Sequence, residues 1–131
     1  MEKNTQKKVL IVEDDISLLN ILFDKLSNQN YEVLKAEDGK KAIELVYEKK
    51  PNLILLDLLL PEADGYEVLK TIRKHEDKEI AETIVIVLSN LWSEKDILSA
   101  QALKIDEYFV KTNTDLKQVV ERVAVALARS K

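Results

Sequence analysis

Residues 53–61 read Leu-Ile-Leu-Leu-Asp-Leu-Leu-Leu-Pro, and the first five of them decide the fold. Leu53 to Leu56 are apolar without alternation, the pattern of a strand covered on both faces, as in a parallel sheet. Lys50-Pro51 stands just before, where proline stops a preceding helix. The run ends abruptly on Asp57, so a carboxylate sits where a buried strand emerges.

Working outward, the same grammar recurs. Val9 to Val12 form a short apolar run between Lys7-Lys8 and Glu13-Asp14-Asp15. Tyr31 to Ala36 reads as a second strand, Thr83 to Leu88 as a fourth ending at Ser89, and Asp106 to Val110 as a fifth leading to Lys111. Between them the apolar period changes to that of helices. Leu18, Leu19, Leu22, Phe23 and Leu26 mark the first stripe, and Ala42, Ile43, Val46 and Tyr47 the second, opened by Gly39. A turn at Ala63-Asp64-Gly65 precedes a third helix through Val68, Leu69 and Ile72, with His75 expected on the surface at its end. Ser93 is placed to cap a fourth helix through Ile97, Leu98 and Leu103, and Trp92 falls on the loop before it. Asn113 or Thr114 is placed to cap the last helix, with Leu116, Val119, Val120, Val123 and Leu127. Five strands alternating with five helices predict an α/β fold: a doubly wound, five-stranded parallel sheet of flavodoxin-like (βα)5 type. One domain is expected to use residues 1–131, with its core over about 8–129.

Composition agrees with this and narrows the function. The chain has 131 residues, 46% hydrophobic and 34% charged, enough for one core and a well-hydrated surface. The net charge is −4 with both signs interleaved, so no basic face tracks a nucleic-acid backbone and no direct nucleic-acid partner is expected. The absence of cysteine excludes a disulfide framework, a thiol nucleophile and cysteine-based zinc sites. Met1 to Lys8 is polar, unlike a signal peptide, and no stretch approaches a membrane span. A cytoplasmic location with no membrane partner is expected.

Ligands of parallel α/β sheets bind beyond the carboxyl ends of the strands. There this sequence puts Glu13 and Asp14 after strand one, Asp57 after strand three, Ser89 after strand four and Lys111 after strand five. Singly, each is ordinary: an acidic cap, a loop-capping aspartate, a serine or lysine after a strand. Together they converge. Clustered carboxylates repel unless a cation lies among them, and oxygen ligands without His or Cys select Mg2+, with Mn2+ an acceptable substitute. Lys111 and Ser89 would then neutralise and bond an incoming phosphoryl group, with Asp57 as its nucleophile.

These residues resemble the receiver domain of response regulators, in two-component signalling, over essentially the whole chain. Residues 9–15 (VLIVEDD) resemble the first strand with its acidic pair, and residues 53–69 (LILLDLLLPEADGYEVL) the segment around the phosphorylated aspartate. Residues 86–90 (IVLSN) resemble the hydroxyl at the end of strand four, and residues 107–111 (EYFVK) the aromatic and lysine of strand five. The resemblance implies a signalling switch rather than an enzyme. Asp57 would accept a phosphoryl group from a histidine kinase or histidine phosphotransfer protein. Asp57, Asp14, Glu13 (mostly through water) and the Leu59 carbonyl would hold Mg2+, while Asp15 starts the first helix. Ser89 and Lys111 would bind the phosphoryl group, and Tyr108 would be the aromatic switch. The partner surface, for a downstream protein or a second copy, would be the fourth helix, fifth strand and fifth helix. The apolar Ala124, Val125, Ala126 and Ala128 would supply docking area there once Asp57 is phosphorylated.

One departure from the family and one pair of leucines carry expectations of their own. Thr112 stands after Lys111 where the family usually has a cis-proline, so a trans bond with an adjusted loop is expected, since a cis bond to a non-proline costs about 2.5–4 kcal/mol. Leu59 and Leu91 occupy positions that flank the attacking water in receivers, which implies a long-lived phosphorylated state unless Leu91 folds back onto the body. One alternative is a receiver fragment of a longer response regulator with an output domain. Another, an aspartyl-phosphate hydrolase of the haloacid dehalogenase type, would need an aspartate at position 59, where Leu59 stands. A flavodoxin-like cofactor binder would need a Ser/Thr/Gly-rich loop in place of Glu13-Asp14-Asp15. An inert receiver-like module would typically lack part of this acidic pocket.

Overall fold

The structure is a computed structural model and describes residues 6–62 and 64–129. Five parallel strands, β1 (Lys8–Val12), β2 (Glu32–Ala36), β3 (Leu53–Leu56), β4 (Ile84–Ser89) and β5 (Glu107–Val110), lie in the order β2-β1-β3-β4-β5. Each strand interior meets helices on both faces, which is why the apolar runs do not alternate. Leu10, Val12, Ile54, Leu56, Val85 and Val87 point to one core, with α2 (Gly39–Lys49), α3 (Gly65–Arg73) and α5 (Glu94–Gln101). Val9, Ile11, Leu53, Leu55, Ile86 and Leu88 point to the other, with α1 (Ile16–Ser27) and α6 (Leu116–Ala128).

The expected architecture holds, with one helix added among the described residues. A single turn, α4 (Lys78–Ala81), is capped by Asp77 and buries only Ile80. One buried side chain leaves no period to read, so this turn was invisible in the pattern, and the expected fourth and fifth helices are α5 and α6. Strands β2, β4 and β5 each begin one residue later than read. Asp15 and Ser93 cap α1 and α5 as expected. The cap of α6, however, is Asp115, whose carboxylate accepts from the Lys117 N–H. Neither predicted residue does this, because Asn113 closes a 3-10 turn (Lys111–Asn113) and the Thr114 hydroxyl donates back to the Val110 carbonyl at 2.7 Å.

Three smaller readings also change. Ala126 is buried in the core, so the surplus apolar surface of α6 shrinks to Ala124, Val125 and Ala128. His75 is half-buried against Tyr47, with ring centroids 4.8 Å apart, and its Nδ1 accepts from the Asp77 N–H. Of the turn read at Ala63-Asp64-Gly65, Ala63 lies outside the described residues; Asp64 caps α3 and Gly65 opens it.

That glycine fixes the geometry beyond β3. Its N–H donates to the Leu58 carbonyl at 3.0 Å, and a Cβ there would come within 2.4 Å of the Asp57 carbonyl oxygen and of Leu58 Cα. Only glycine lets α3 start this close to the chain leaving Asp57.

Candidate functional site

Strand order reverses at β1, which has β2 on one side and β3 on the other, the point beyond whose carboxyl ends parallel α/β sheets bind ligands. The ladder carries its register past the strands: the Glu13 N–H donates to Ala36 and the Asp57 N–H to Val12, both at 3.0 Å. Glu13 and Asp57 are thereby held side by side on rigid backbone, both buried, with 2% and 4% exposure. Asp14, one residue on, is exposed. Each of the three offers a carboxylate oxygen within 4.8 Å of the others.

Lys111 closes the group from β5. Its Nζ lies 2.8 Å from Asp57 Oδ2 and 2.9 and 3.0 Å from the two oxygens of Glu13. Among the described residues no peptide bond is cis, so Lys111-Thr112 is trans, and the 3-10 turn beginning at Lys111 absorbs the change while the lysine still reaches Asp57. Burial raises the Glu13 pKa, against the opposing pull of Lys111. Burial also works against the Lys111 ammonium, but hydrogen bonds to Asp57 and Glu13 outweigh it and hold its pKa above the ordinary lysine value. The remaining Asp57 oxygen, Oδ1, accepts the Leu59 N–H at 3.0 Å, which orients the carboxylate.

The donor set fits a hard divalent cation. Three carboxylates from two adjacent strand ends supply oxygen only, and two are buried with a single ammonium between them. Ser89 is fully buried at the end of β4, and its Oγ accepts the Leu91 N–H at 3.3 Å. The Leu91 carbonyl in turn accepts the Tyr108 hydroxyl at 2.6 Å. Burial pushes the Tyr108 phenol up to about 12, helped by Tyr66, Asp96 and Asp57 nearby. Leu91 itself packs back against the core, whereas Leu59 stands half exposed beside Asp57. Trp92 is on the loop before α5 and is 74% exposed.

Two structural residues, one beside α5's first turn and one at the opposite end of the sheet, were not singled out by sequence. The Tyr66 hydroxyl donates to the Asp96 carbonyl at 2.8 Å, and the Arg73 guanidinium donates to four main-chain carbonyls. Both act on backbone, which carries no residue identity, so no pattern could have announced them.

Known proteins match this arrangement. The family model for the response regulator receiver domain matches residues 9–124. A relative from Cyanophora paradoxa described as a probable transcriptional regulator, ycf27, is 37% identical over 130 residues, covering 99% of this chain and 52% of the relative. Its counterpart from Guillardia theta is 35% identical over 130 residues, with 99% and 49% covered. The chain thus spans about half the length of these relatives. The solved receiver domain of the Francisella response regulator 1452 superposes with a TM-score of 0.84 at 27% identity, covering 95% of this chain and 98% of that one.

Proposed function

This chain belongs to the response regulator receiver domain family of two-component signalling, and on that premise we propose that it is a phosphoacceptor switch whose acceptor is Asp57. The observation that carries the reading is the Lys111 ammonium 2.8 Å from Asp57 Oδ2, with Glu13 and Asp14 oxygens beside it. In the proposed reaction an Asp57 oxygen bonds the phosphorus as the phosphorus–nitrogen bond to a partner's phosphohistidine breaks, the nitrogen keeping the electron pair. The partner is a histidine kinase or histidine phosphotransfer protein.

Glu13, Asp14, Asp57 and the Leu59 carbonyl would hold Mg2+ or Mn2+, which when bound supplies positive charge against the phosphoryl oxygens. Lys111 adds its own charge, already aimed at Asp57. The Leu59 N–H keeps the acceptor carboxylate from rotating. Ser89 lies buried with its hydroxyl on Leu91, so taking up a phosphoryl oxygen alters a bond to the loop that Tyr108 also holds. Phosphorylation would thereby bias the α5-β5-α6 face toward one of two arrangements for a downstream protein or a second copy. The output is binding, not turnover, and the setting is cytoplasmic.

A second reading, that the chain is the receiver portion of a longer regulator with an output domain, is favoured by its match to only about half of each relative. Under either reading residues 1–131 act as one receiver unit. Incubation with Mg2+ and acetyl phosphate tests the chemistry. One hydroxylamine-labile phosphoryl group is expected, lost in Asp57→Asn; equal labelling of that variant overturns the assignment.

A further inference from the structure

Among the described longer helices, α5 is anchored most lightly. Ala100 is its single buried residue, whereas α1 and α2 each bury three and α3 and α6 each bury four. Few buried contacts make a segment the first to move. Its two ends are held by different chemistry.

Just past the C-terminal end, Arg73 from the last turn of α3 donates to the carbonyls of Leu103 at 2.8 Å and Lys104 at 3.1 Å. The same guanidinium donates at 2.8 Å to the carbonyls of Ala81, the last residue of α4, and Thr83, just before β4. Four charge-assisted bonds therefore tie this end to the body of the domain. At the N-terminal end the tie from α3 is a single neutral bond, from the Tyr66 hydroxyl to the Asp96 carbonyl. That end is also the one joined to Ser89, through Leu91.

We propose that Tyr66 and Arg73 are positioning residues that make α5 a lever, Arg73 fixing its C-terminal end and the Tyr66 hydroxyl latching the end that adjoins Ser89. A disturbance at Ser89 then swings the first turn of α5 while Leu103 and Lys104 stay in place. The lever itself is independent of phosphorylation; its use as the output of Asp57 rests on the function proposed above.

Residue-resolved amide hydrogen exchange distinguishes the two ends. The Asp96 and Ile97 amides bond within the first turn, to Ser93 Oγ and the Ser93 carbonyl. The Ala102, Leu103 and Lys104 amides bond at the other end, to Leu98, Ala100 and Gln101. Tyr66→Phe keeps the ring and removes the latch, so the first pair is expected to exchange roughly two- to tenfold faster and the second set to stay unchanged. Arg73→Lys keeps a charge but cannot span four carbonyls, and reverses the pattern. Should Arg73→Lys fail to fold, Tyr66→Phe alone decides: equal acceleration at both ends, or none at the first turn, overturns the lever.

Beryllofluoride with Mg2+ then tests the link to Asp57. In the wild type it is expected to speed exchange of the Asp96 and Ile97 amides, with a smaller increment in Tyr66→Phe, where the latch is already gone. Equal increments in both proteins overturn release through Tyr66. No response in the wild type counts against the phosphoacceptor reading, while the ligand-free comparison still decides the lever.

Discussion

The Tyr108 hydroxyl donates to the Leu91 carbonyl at 2.6 Å, joining β5 to the loop that follows Ser89. The bond needs the phenol protonated, and burial holds its pKa at about 12 against an ordinary 10.0. The folded state thus keeps a proton that the unfolded chain releases first. Its contribution is full below pH 10 and is lost as pH rises toward 12. The stability difference between wild type and Tyr108→Phe should therefore be constant up to about pH 10 and shrink above it. A difference that stays flat through that range would show that Tyr108 is not held protonated by the fold.

Metal binding should stabilise the native state, since a cation held by the folded chain alone shifts the unfolding equilibrium. Saturating Mg2+ at a hundredfold excess over its Kd corresponds to about 2.7 kcal/mol, a rise of several degrees in Tm. Asp14→Ala removes the exposed member of the triad and should abolish most of that rise without changing the metal-free Tm much. A full Mg2+-induced shift in the variant would exclude Asp14 as a ligand.

Arg73→Met should cost about 2–4 kcal/mol in urea unfolding, from loss of charge-assisted bonds to four main-chain carbonyls in two segments of the chain. Burial lowers the arginine pKa, with the Asp106 carboxylate acting in the opposite direction. A change under about 0.5 kcal/mol would place Arg73 among ordinary surface substitutions.

Arg73 also marks the boundary of what sequence could convey. Glu13, Asp57, Ser89 and Lys111 were legible because each follows an apolar run whose end must emerge into the crevice. The same logic found Gly65 by its place in the turn, though not the 2.4 Å approach that requires it. What stayed hidden was side chain on main chain: Arg73 and Tyr66 on carbonyls, and Asp115 taking the cap from two equally suitable neighbours. Helix α4 was hidden for another reason, since a single buried Ile80 makes no period.

The lifetime of the phosphorylated state is the remaining question, and the two leucines now differ. Leu59 is 51% exposed beside Asp57, with its N–H on Asp57 Oδ1, whereas Leu91 is partly buried and packs back against the core. An apolar group at position 59 offers no hydrogen bond to line up an attacking water, and phosphoryl transfer to water depends on positioning as well as on electrostatic stabilisation. Leu59→Asn should therefore speed phosphate loss by roughly three- to tenfold, about the worth of one added hydrogen bond, with little effect on labelling by acetyl phosphate. Leu91→Glu trades core packing for charge, so its first effect should be on α5 and its effect on hydrolysis smaller. Dephosphorylation of both variants beside the wild type separates the contributions. Equal rates in wild type and Leu59→Asn would mean that water reaches the phosphorus by another path, and that the leucine is simply the exposed shoulder of the loop after Asp57.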